Sequence, residues 1–491
     1  MRVNYQTNAT PRLQVLSNDQ IEQIVYAAME ILQTTGTCVY QEESLELLRN
    51  AGCVIKEDNR VYIPSALIEN SLRTAPSRVV IAGRNREKLV MLEKNNIYYG
   101  TGSDCPFILD PYTGERRRYT FEDVYRAAKI AEALPQIDFH MSVGLTSDVP
   151  IGTYDRHQFF AMLKGTTKPF VITANDREGL ADQYEMACTV IGGVDEWNRL
   201  PMFVVYIEPS SPLNNSKEAL EKLLYSAEHN IPAIYTPCPI CGATAPATMA
   251  GILVQGLAEF FTGLVVAQLK KKGAALIMGG VMSILDMSTT ILSYGAPELT
   301  LLSAGMTNVS QYLKLPMFST AGCSDSKIPD QQAAIEAAVS IAMSGLSGAN
   351  LIHDVGYLEY GLNGSYDLLV MSNEIIGMVK RILGGVIVDA DHLALDTIDR
   401  VGPGGNYLSE DHTLRYFRSE FWLPELIDRS NWDTWTENGS KTMGQRAHEK
   451  VLEIIENFEP EPIPADIEQK LTSIIARADQ IHIEEDKITL V

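Results

Sequence analysis

Tyrosines and acidic residues recur where short apolar runs of this 491-residue chain end. The tyrosines are Tyr98, Tyr99, Tyr206, Tyr235, Tyr357 and Tyr360, and the acids are Asp104, Glu208, Asp325, Asp354 and Glu359. Aromatic faces attract cations through the ring quadrupole, and they can hold a quaternary ammonium, which has no N–H to donate. The combination favours a binding site for a permanent cation. The alternative is that these tyrosines pack under loops with their hydroxyls in water.

Two short segments add residues that could act on such a ligand. His353 and Asp354 are adjacent, and histidine titrates near neutral pH, so we identify this pair as the catalytic candidates. A histidine that only packs is the alternative. Lys327, close to Asp325, could hold a substrate carboxylate, or the two could form a salt-bridged loop that caps the next helix. Cys238-Pro-Ile-Cys241 has no second cysteine pair, so we interpret it as structural and predict no metal site.

Eight apolar runs that alternate with helical patterns position these residues. The runs begin at Ile97, Phe139, Phe170, Phe203, Ala233, Ala275, Met317 and Asn350. Apolar strands that alternate with helices are typical of a parallel sheet covered by helices, and eight units favour a closed (β/α)8 TIM barrel. In such barrels the chemistry takes place at the C-terminal ends of the strands. An open doubly wound sheet is the alternative.

The chain divides into three predicted parts. Residues 1–90 form a mostly helical N-terminal region, in which Ser17 is a helix-capping signal. Residues 91–385 form the (β/α)8 catalytic barrel. Residues 386–491 form a mostly helical C-terminal extension, which we expect to contribute to an oligomer contact. We therefore predict a homo-oligomer.

Composition excludes several classes of protein. With 40 basic and 62 acidic residues the net charge is 40 − 62 = −22, which argues against binding nucleic acid. No apolar run reaches the roughly 20 residues of a membrane span, and the N-terminus lacks the apolar stretch of a secretory signal. The seven scattered cysteines fit a reducing compartment. We expect a cytoplasmic protein that binds neither nucleic acid nor membrane.

Three segments of the chain resemble the trimethylamine methyltransferase family. They are Ser324-Asp-Ser-Lys-Ile-Pro-Asp-Gln-Gln332, Asn350-Leu-Ile-His-Asp-Val-Gly-Tyr-Leu-Glu359 and Ser409-Glu-Asp-His-Thr413. The resemblance covers nearly the whole chain and implies a barrel enzyme that moves a methyl group from a methylated amine to a corrinoid protein. Archaeal members carry pyrrolysine, whereas this chain has only the ordinary twenty residues, so it resembles the branch that acts on quaternary amines.

The resemblance implies a specific reaction and partner. The methyl donor would be a quaternary amine, above all glycine betaine, and the acceptor cob(I)alamin presented by a partner corrinoid protein. No cofactor would be bound permanently, because the chain lacks the corrinoid motif D-x-H-x-x-G. Proline betaine, carnitine or γ-butyrobetaine as substrate, and a non-catalytic betaine-binding protein, are the alternatives.

The residue roles are expectations of the same kind. Tyr98, Tyr99, Tyr357 and Tyr360 would surround the ammonium, and His353 and Lys327 would orient the carboxylate. Asp325, Asp354 and Glu359 would shape the electrostatic field. Asp104 and Tyr206 complete the predicted substrate-binding residues, and His353 with Asp354 remains the catalytic pair.

Overall fold

A small N-terminal region precedes the central sheet. The computed structural model describes residues 9–489, and for residues 483–489 it describes the backbone only. The first helix begins where Ser17 and Gln20 form a capping box. The elements of this region are α1 (Asn18–Thr34), β1 (Thr37–Val39), α2 (Glu42–Asn50), β2 (Val54–Lys56), β3 (Arg60–Tyr62), α3 (Ser65–Thr74), β4 (Val79–Ala82) and β5 (Leu89–Leu92).

Eight strand-helix units follow, up to residue 383. The second strand is represented by single bridges at Phe139 and His140. The other elements are β6 (Tyr98–Tyr99), β7 (Phe107–Leu109), β8 (Arg116–Arg118), α4 (Phe121–Ala133), α5 (Tyr154–Gly165), β9 (Phe170–Ile172), α6 (Arg177–Ile191), α7 (Val194–Arg199), β10 (Phe203–Ile207), β11 (Asn214–Asn215), α8 (Lys217–Glu228), β12 (Ala233–Tyr235), β13 (Ile240–Cys241), α9 (Met249–Lys270), β14 (Leu276–Met278), β15 (Ser283–Asp286), β16 (Ile291–Ser293), α10 (Pro297–Leu313), β17 (Phe318–Thr320), α11 (Gln331–Ser347), β18 (Leu351–His353), β19 (Tyr357–Leu358), β20 (Asn363–Gly364) and α12 (Tyr366–Leu383).

The parallel pairings run around all eight units and return to the first. β9, β10, β12 and β14 pair in that order, and β17 pairs with β18, which pairs with β6. Single parallel bridges join the remaining neighbours, Gly100 to Phe139, His140 to Phe170 and Met278 to Met317. The predicted α/β class is confirmed, and the pairings follow the order that a (β/α)8 barrel requires. All eight predicted runs lie in this ring.

Apolar side chains fill the inside of the ring, and a hairpin covers one end of it. The strands contribute Phe139, Met141, Val171, Val204, Ile234, Ile277, Phe318 and Leu351 to one buried cluster. The β4–β5 hairpin adds Val79, Ile81, Val90 and Leu92 to the same cluster. Its residues Ala82 and Arg84 donate to the carbonyls of Pro201 and Thr167, which immediately precede strands. The hairpin therefore closes the N-terminal end of the ring.

Short hairpins cover part of the opposite end, which we call the mouth. β7 and β8 form a hairpin after the first strand, and β20 joins it to β19 from the loop after the eighth strand. β15 and β16 form another hairpin after the sixth strand. Side chains that are distant in sequence therefore meet above the strand ends.

Six helices follow α12. They are α13 (Ala390–Leu393), α14 (Leu395–Val401), α15 (Asp411–Glu420), α16 (Trp432–Glu437), α17 (Met443–Asn457) and α18 (Ala465–Thr489). The buried carboxylate of Glu374 on α12 accepts from the successive backbone amides of Glu425, Leu426 and Ile427 at 2.9, 2.9 and 3.1 Å. This contact fastens the C-terminal part to α12.

Helix α9 is long and apolar enough, by composition alone, to cross a membrane. Most of it is buried inside the fold, where it packs against α1, α3, α8 and α10. Its apolar character is therefore that of a core helix.

Candidate functional site

The end of β18 places His353 and Asp354 at the mouth, and both are almost completely buried. The His353 ring lies 4.0 Å from the ring of Phe318, and its Nδ1 is 2.9 Å from the carbonyl oxygen of Ser319. Because a carbonyl only accepts, Nδ1 carries the proton and donates it, which leaves Nε2 as an acceptor. Burial lowers the pKa of His353 to about 4, against the effect of that hydrogen bond. The imidazole is therefore neutral at neutral pH.

Asp354 is a carboxyl group without a hydrogen-bond donor for one of its oxygens. Its Oδ2 is 3.2 Å from Nε2 of His353, but the two are not aligned for a hydrogen bond, and no other described residue donates to this oxygen. Burial raises the pKa of Asp354 well above its usual value. A Cβ at Gly102 would overlap the Asp354 carboxyl group, so this glycine leaves it the space it needs. A buried carboxylate of this kind would be stabilised by a cation.

Three tyrosines lie near the His353–Asp354 pair. The ring of Tyr206 is 6.4 Å from that of His353. Tyr357 packs on Gly102 beside Asp354, and its hydroxyl donates to the carbonyl of Ser103. Tyr294 is close to Tyr357, because a Cβ at Gly361 would be 3.6 Å from the Tyr357 ring and 3.9 Å from the Tyr294 ring. Burial raises the pKa of all three phenols well above their usual value, so they stay neutral.

Two further acidic side chains, Glu208 and Asp104, follow strand ends at the mouth. Glu208 accepts a hydrogen bond of 2.9 Å from the Tyr206 hydroxyl. Its side chain is accessible to solvent, but desolvation by the surrounding side chains raises the pKa of its carboxyl group. The sulfur of Cys238 lies 3.6 Å from the same hydroxyl. The pKa of Asp104 is likewise raised, mainly by burial. Aromatic faces, a carboxyl group without a donor and nearby acids together form a site that can hold a cation.

Two predicted cage residues lie elsewhere. Tyr99 points outward from its strand, is fully buried, and donates through its hydroxyl to the carbonyl of Ile341 on α11 at 2.9 Å. Tyr98 packs against the apolar cluster inside the ring, level with Leu351 at the start of β18. Neither side chain lies at the mouth, because the first strand continues past both residues before it ends. The expectation that Tyr98 and Tyr99 surround the ligand is therefore corrected.

Four other predicted residues make their polar contacts with loop or hairpin residues. The Asp325 carboxylate accepts from the Ser293 hydroxyl and from the backbone amide of Tyr294, the latter at 2.7 Å. Lys327 is exposed, and its ammonium donates to the carbonyl of Asp325 at 2.8 Å. Glu359 and Tyr360 lie in the segment after the eighth strand. Glu359 pairs with Arg116 of the β7–β8 hairpin at 2.9 Å, and the amide of half-buried Tyr360 donates to the carbonyl of Ser324 at 3.1 Å.

Sequence reasoning missed Tyr294, which ends the β15–β16 hairpin. The signal was present as two short apolar runs, Ser283–Asp286 and Ile291–Ser293, separated by a polar turn. Tyr235, in contrast, points away from the mouth and donates to Asn215 at 2.6 Å.

All seven cysteines, including Cys238 and Cys241, are free thiols. Within residues 9–489, no group of three or more His, Cys, Asp or Glu side chains is arranged to hold a metal ion.

The sequence matches relatives along almost its whole length. The family model described as trimethylamine methyltransferase (MTTB) matches residues 1–481. The chain is 33% identical to "Trimethylamine methyltransferase MttB" of Desulfitobacterium hafniense (strain DSM 10664 / DCB-2), over 94% of this chain and 93% of that one. It is 32% identical to "Glycine betaine methyltransferase" of Desulfitobacterium hafniense (strain Y51), over 95% and 97% of the two chains.

A solved structure supports the same fold. The monomethylamine methyltransferase (MtmB) of Methanosarcina barkeri superimposes with a TM-score of 0.51, covering 91% of this chain and 89% of that one. At 14% sequence identity this likeness concerns the fold alone. The family match and the relatives above 30% identity carry the assignment: the chain is an enzyme of the trimethylamine methyltransferase family.

Proposed function

We propose that this enzyme transfers a methyl group from a quaternary amine to the cob(I)alamin of a separate corrinoid protein. Glycine betaine is the proposed donor, and dimethylglycine is the amine released. The observation that carries the proposal is Asp354, 3% exposed and without a hydrogen-bond donor for Oδ2, among the rings of Tyr206, Tyr294 and Tyr357. The relative named glycine betaine methyltransferase supports the same substrate.

A quaternary ammonium fits the groups at the mouth better than a neutral ligand. It has no N–H, so it gains from aromatic faces and from a nearby negative charge rather than from hydrogen bonds. Each aromatic contact contributes about 0.5–2 kcal/mol. The Asp354 carboxylate lacks the donor that would otherwise stabilise its charge, and a cation would supply that stabilisation.

The reaction requires little acid–base chemistry from the side chains of this enzyme. Cob(I)alamin, bound by its own protein, supplies a nucleophilic metal. When the methyl group leaves the nitrogen, the electron pair of the C–N bond stays on nitrogen, so the product amine is neutral and no proton has to move. The chain's task is to orient one methyl group towards the mouth and to exclude water from the ammonium.

Asp354 and His353 have opposing effects on the rate in this proposal. The ammonium loses its charge in the transition state, so a carboxylate that binds the ground state too tightly would slow the transfer. Burial raises the pKa of Asp354 and so moderates its charge, while the neutral imidazole of His353 lies 3.2 Å from Oδ2 without adding a charge. We therefore assign Asp354 to binding of the cation and His353 to the positioning of Asp354.

The proposed function is tested with free cob(I)alamin and a panel of donors. The panel contains glycine betaine, proline betaine, carnitine, γ-butyrobetaine and trimethylamine, and the loss of cob(I)alamin is followed by absorbance. We expect the fastest loss with glycine betaine and a large reduction in Asp354→Asn. Tyr99→Phe, altered away from the mouth, is the matched control and should behave as the unmodified enzyme.

Other outcomes would change the proposal in defined ways. Faster turnover of a longer betaine would keep the reaction and change the donor. Turnover of trimethylamine alone would contradict the quaternary substrate. Binding of betaines without turnover of any donor would support the non-catalytic alternative.

We further propose that the enzyme is a cytoplasmic homo-oligomer. The segment after the barrel exposes many large apolar side chains, among them Val386, Leu395, Leu408, Leu414, Phe421, Leu423 and Trp432. Large exposed apolar patches typically mark protein–protein contacts. Together with the free cysteines, this surface supports self-association in a reducing compartment.

A further inference from the structure

We propose that the outer face of helix α11 packs against a second copy of this chain, an inference that rests on the proposed homo-oligomer and identifies one of its contact surfaces. Ile335 and Val339 on this face are 63% and 50% exposed. Ala338 and Ala342 lie on the same face by their helical spacing and are half-buried. The opposite face, which contains Ala337, is buried against the rest of the chain. A helix that is apolar on all sides is typically covered on all sides.

Charged side chains are almost absent from α11. Glu336 is the only one among its 17 residues, and its carboxylate accepts from the backbone amide of Asp325 at 2.9 Å. The outer helix α8, in contrast, exposes Lys217, Glu218 and Glu228 to solvent. The centre of a protein interface is depleted of charged residues, whereas the water-facing side of an outer helix carries them. The composition of α11 is therefore that of a covered helix.

The apolar surface continues onto the neighbouring helix α12. A Cβ at Gly345 of α11 would be 3.1 Å from Val379 of α12, so the two helices are in close contact. On α12, Met378 and Ile382 are 39% and 55% exposed, and they lie about one helical turn apart. The exposed apolar segment that includes Val386 follows this helix directly. We call the following four side chains the α11–α12 face: Ile335, Val339, Met378 and Ile382.

A second copy of the chain fits this face better than a transient partner does. Homodimer contacts are more apolar than contacts that form and break, and the α11–α12 face is apolar. Each chain carries a net charge of −22, so two copies repel each other least where their surfaces have no charge. The face lies on the side of α11 that points away from the ring, whereas the corrinoid protein of the proposed reaction must reach the mouth. In a twofold pair the same surface of both chains is in contact, so one face provides both sides.

Molar mass in solution tests the contact. In the double variant Ile335→Lys, Val339→Lys, two charges replace apolar side chains at the contact, and each would lose water without gaining a partner. Light scattering after size-exclusion chromatography should show dissociation towards 54.3 kDa, with a Kd for association at least about tenfold higher. Lysine reduces the net negative charge of the chain, so general repulsion could not explain this loss. Glu336 stays unchanged because it holds the Asp325 loop.

A matched double variant controls for the added charges. Val54 and Ile151 are 58% and 89% exposed, and they lie in β2 and in the loop before α5, outside α11 and α12. Val54→Lys, Ile151→Lys should keep the mass of the unmodified oligomer. All four substituted side chains are exposed in the single chain, so both variants should fold. Circular dichroism and Tm are compared before the masses are.

Thiol labelling tests the same contact without disrupting the oligomer. The new thiol in Val339→Cys should react with a maleimide at least about tenfold more slowly in the oligomer than after dilution to single chains, because a covered surface excludes the reagent. The new thiol in Val54→Cys should react at one rate throughout.

The outcomes separate this contact from the other proposals. A monomeric unmodified protein would overturn both the contact and the homo-oligomer, and it would leave the proposed methyl transfer unaffected. An oligomer that keeps its mass in Ile335→Lys, Val339→Lys would overturn the α11 contact alone. So would a thiol in Val339→Cys that reacts at the same rate at every concentration, or equal dissociation of Val54→Lys, Ile151→Lys.

Discussion

Nε2 of His353 and Oδ2 of Asp354 lie 3.2 Å apart without a hydrogen bond, and the proton of the Asp354 carboxyl group is the one that this pair can lose. Nδ1 of His353 is already committed to the carbonyl of Ser319. Burial lowers the pKa of the imidazole and raises that of the carboxyl group, and both shifts keep the pair neutral. A permanent cation beside Asp354 would favour the ionised carboxylate and expel this proton. Binding of a betaine should therefore depend on pH.

The first prediction concerns this proton. Betaine binding should tighten as pH rises while Asp354 is still protonated in the free enzyme, by at most about tenfold per pH unit. Calorimetry of betaine binding in buffers of different ionisation enthalpy should detect proton release. Asp354→Asn should bind more weakly and release no proton. Equal proton release in this variant would assign the proton to another group.

The histidine also predicts a stability change. The pKa of His353 is lowered to about 4 from an ordinary value of 6.5, so the unfolded chain binds its proton before the folded chain does. Its contribution to stability is present above pH 6.5 and decreases as pH falls towards 4. A His353→Gln variant, followed by denaturant unfolding, should show a smaller loss of stability over this window. If the free energy of unfolding of His353→Gln depended on pH as steeply as that of the unmodified protein, this prediction would be wrong.

Tyr294 gives a test of the aromatic wall. Tyr294→Ala should weaken betaine binding by about 0.5–2 kcal/mol, which is roughly 2- to 30-fold in Kd. Tyr294→Phe keeps the ring and should bind almost as well. The comparison is made by calorimetry, with Tyr99→Ala as the control, because that ring packs against α11. Equal weakening in both alanine variants would argue for a general structural effect.

At the scale of elements, the β15–β16 hairpin depends on a residue of another loop. Asp325, after the seventh strand, accepts from Ser293 and from the Tyr294 amide, so it holds the end of this hairpin over the mouth. Lys327, two residues further along the chain, donates to the Asp325 carbonyl and to no other group among the described residues. The residues expected to contact the substrate therefore act on the element that carries Tyr294.

This arrangement predicts different effects for two neighbours. Asp325→Ala should raise the KM for glycine betaine with a smaller change in kcat, because Tyr294 loses its anchor. Lys327→Ala should leave the KM near that of the unmodified enzyme. A higher KM in Lys327→Ala for glycine betaine but not for tetramethylammonium would instead support the carboxylate clamp predicted from sequence.

The elements were largely predictable, whereas side-chain directions were not. The eight apolar runs and the helix signal at Ser17 are local patterns, and they led to the observed order of elements. Tyr98 and Tyr99 are consecutive strand residues, so they point to opposite faces and could not both face a ligand. Tyr294 reaches the mouth only because Asp325 fixes its hairpin, a contact between distant segments that no local pattern contains. The division at residues 90 and 385 stays a prediction.

At the scale of the whole molecule, the exposed apolar surface after the barrel predicts self-association. Leu408 and Leu414 are 90% and 73% exposed, and such side chains are expected to be covered in solution. Light scattering after size-exclusion chromatography should give a mass that is a multiple of 54.3 kDa. The double variant Leu408→Glu, Leu414→Glu should shift it towards one chain. A monomeric unmodified protein would contradict the homo-oligomer.

The β4–β5 hairpin covers the N-terminal end of the ring, so among the described residues the site is approached from the mouth. The N-terminal end is closed by the buried side chains of Val79, Ile81, Val90 and Leu92. Substrate and product must therefore pass through the mouth. In the proposed reaction the protein that delivers the cobalt must dock on that same opening. The methyl donor would then have to bind before the corrinoid protein docks, and the demethylated amine could leave only after that protein dissociates. Substrate binding and docking would follow a compulsory order, and the lifetime of the complex with the corrinoid protein would limit the turnover rate.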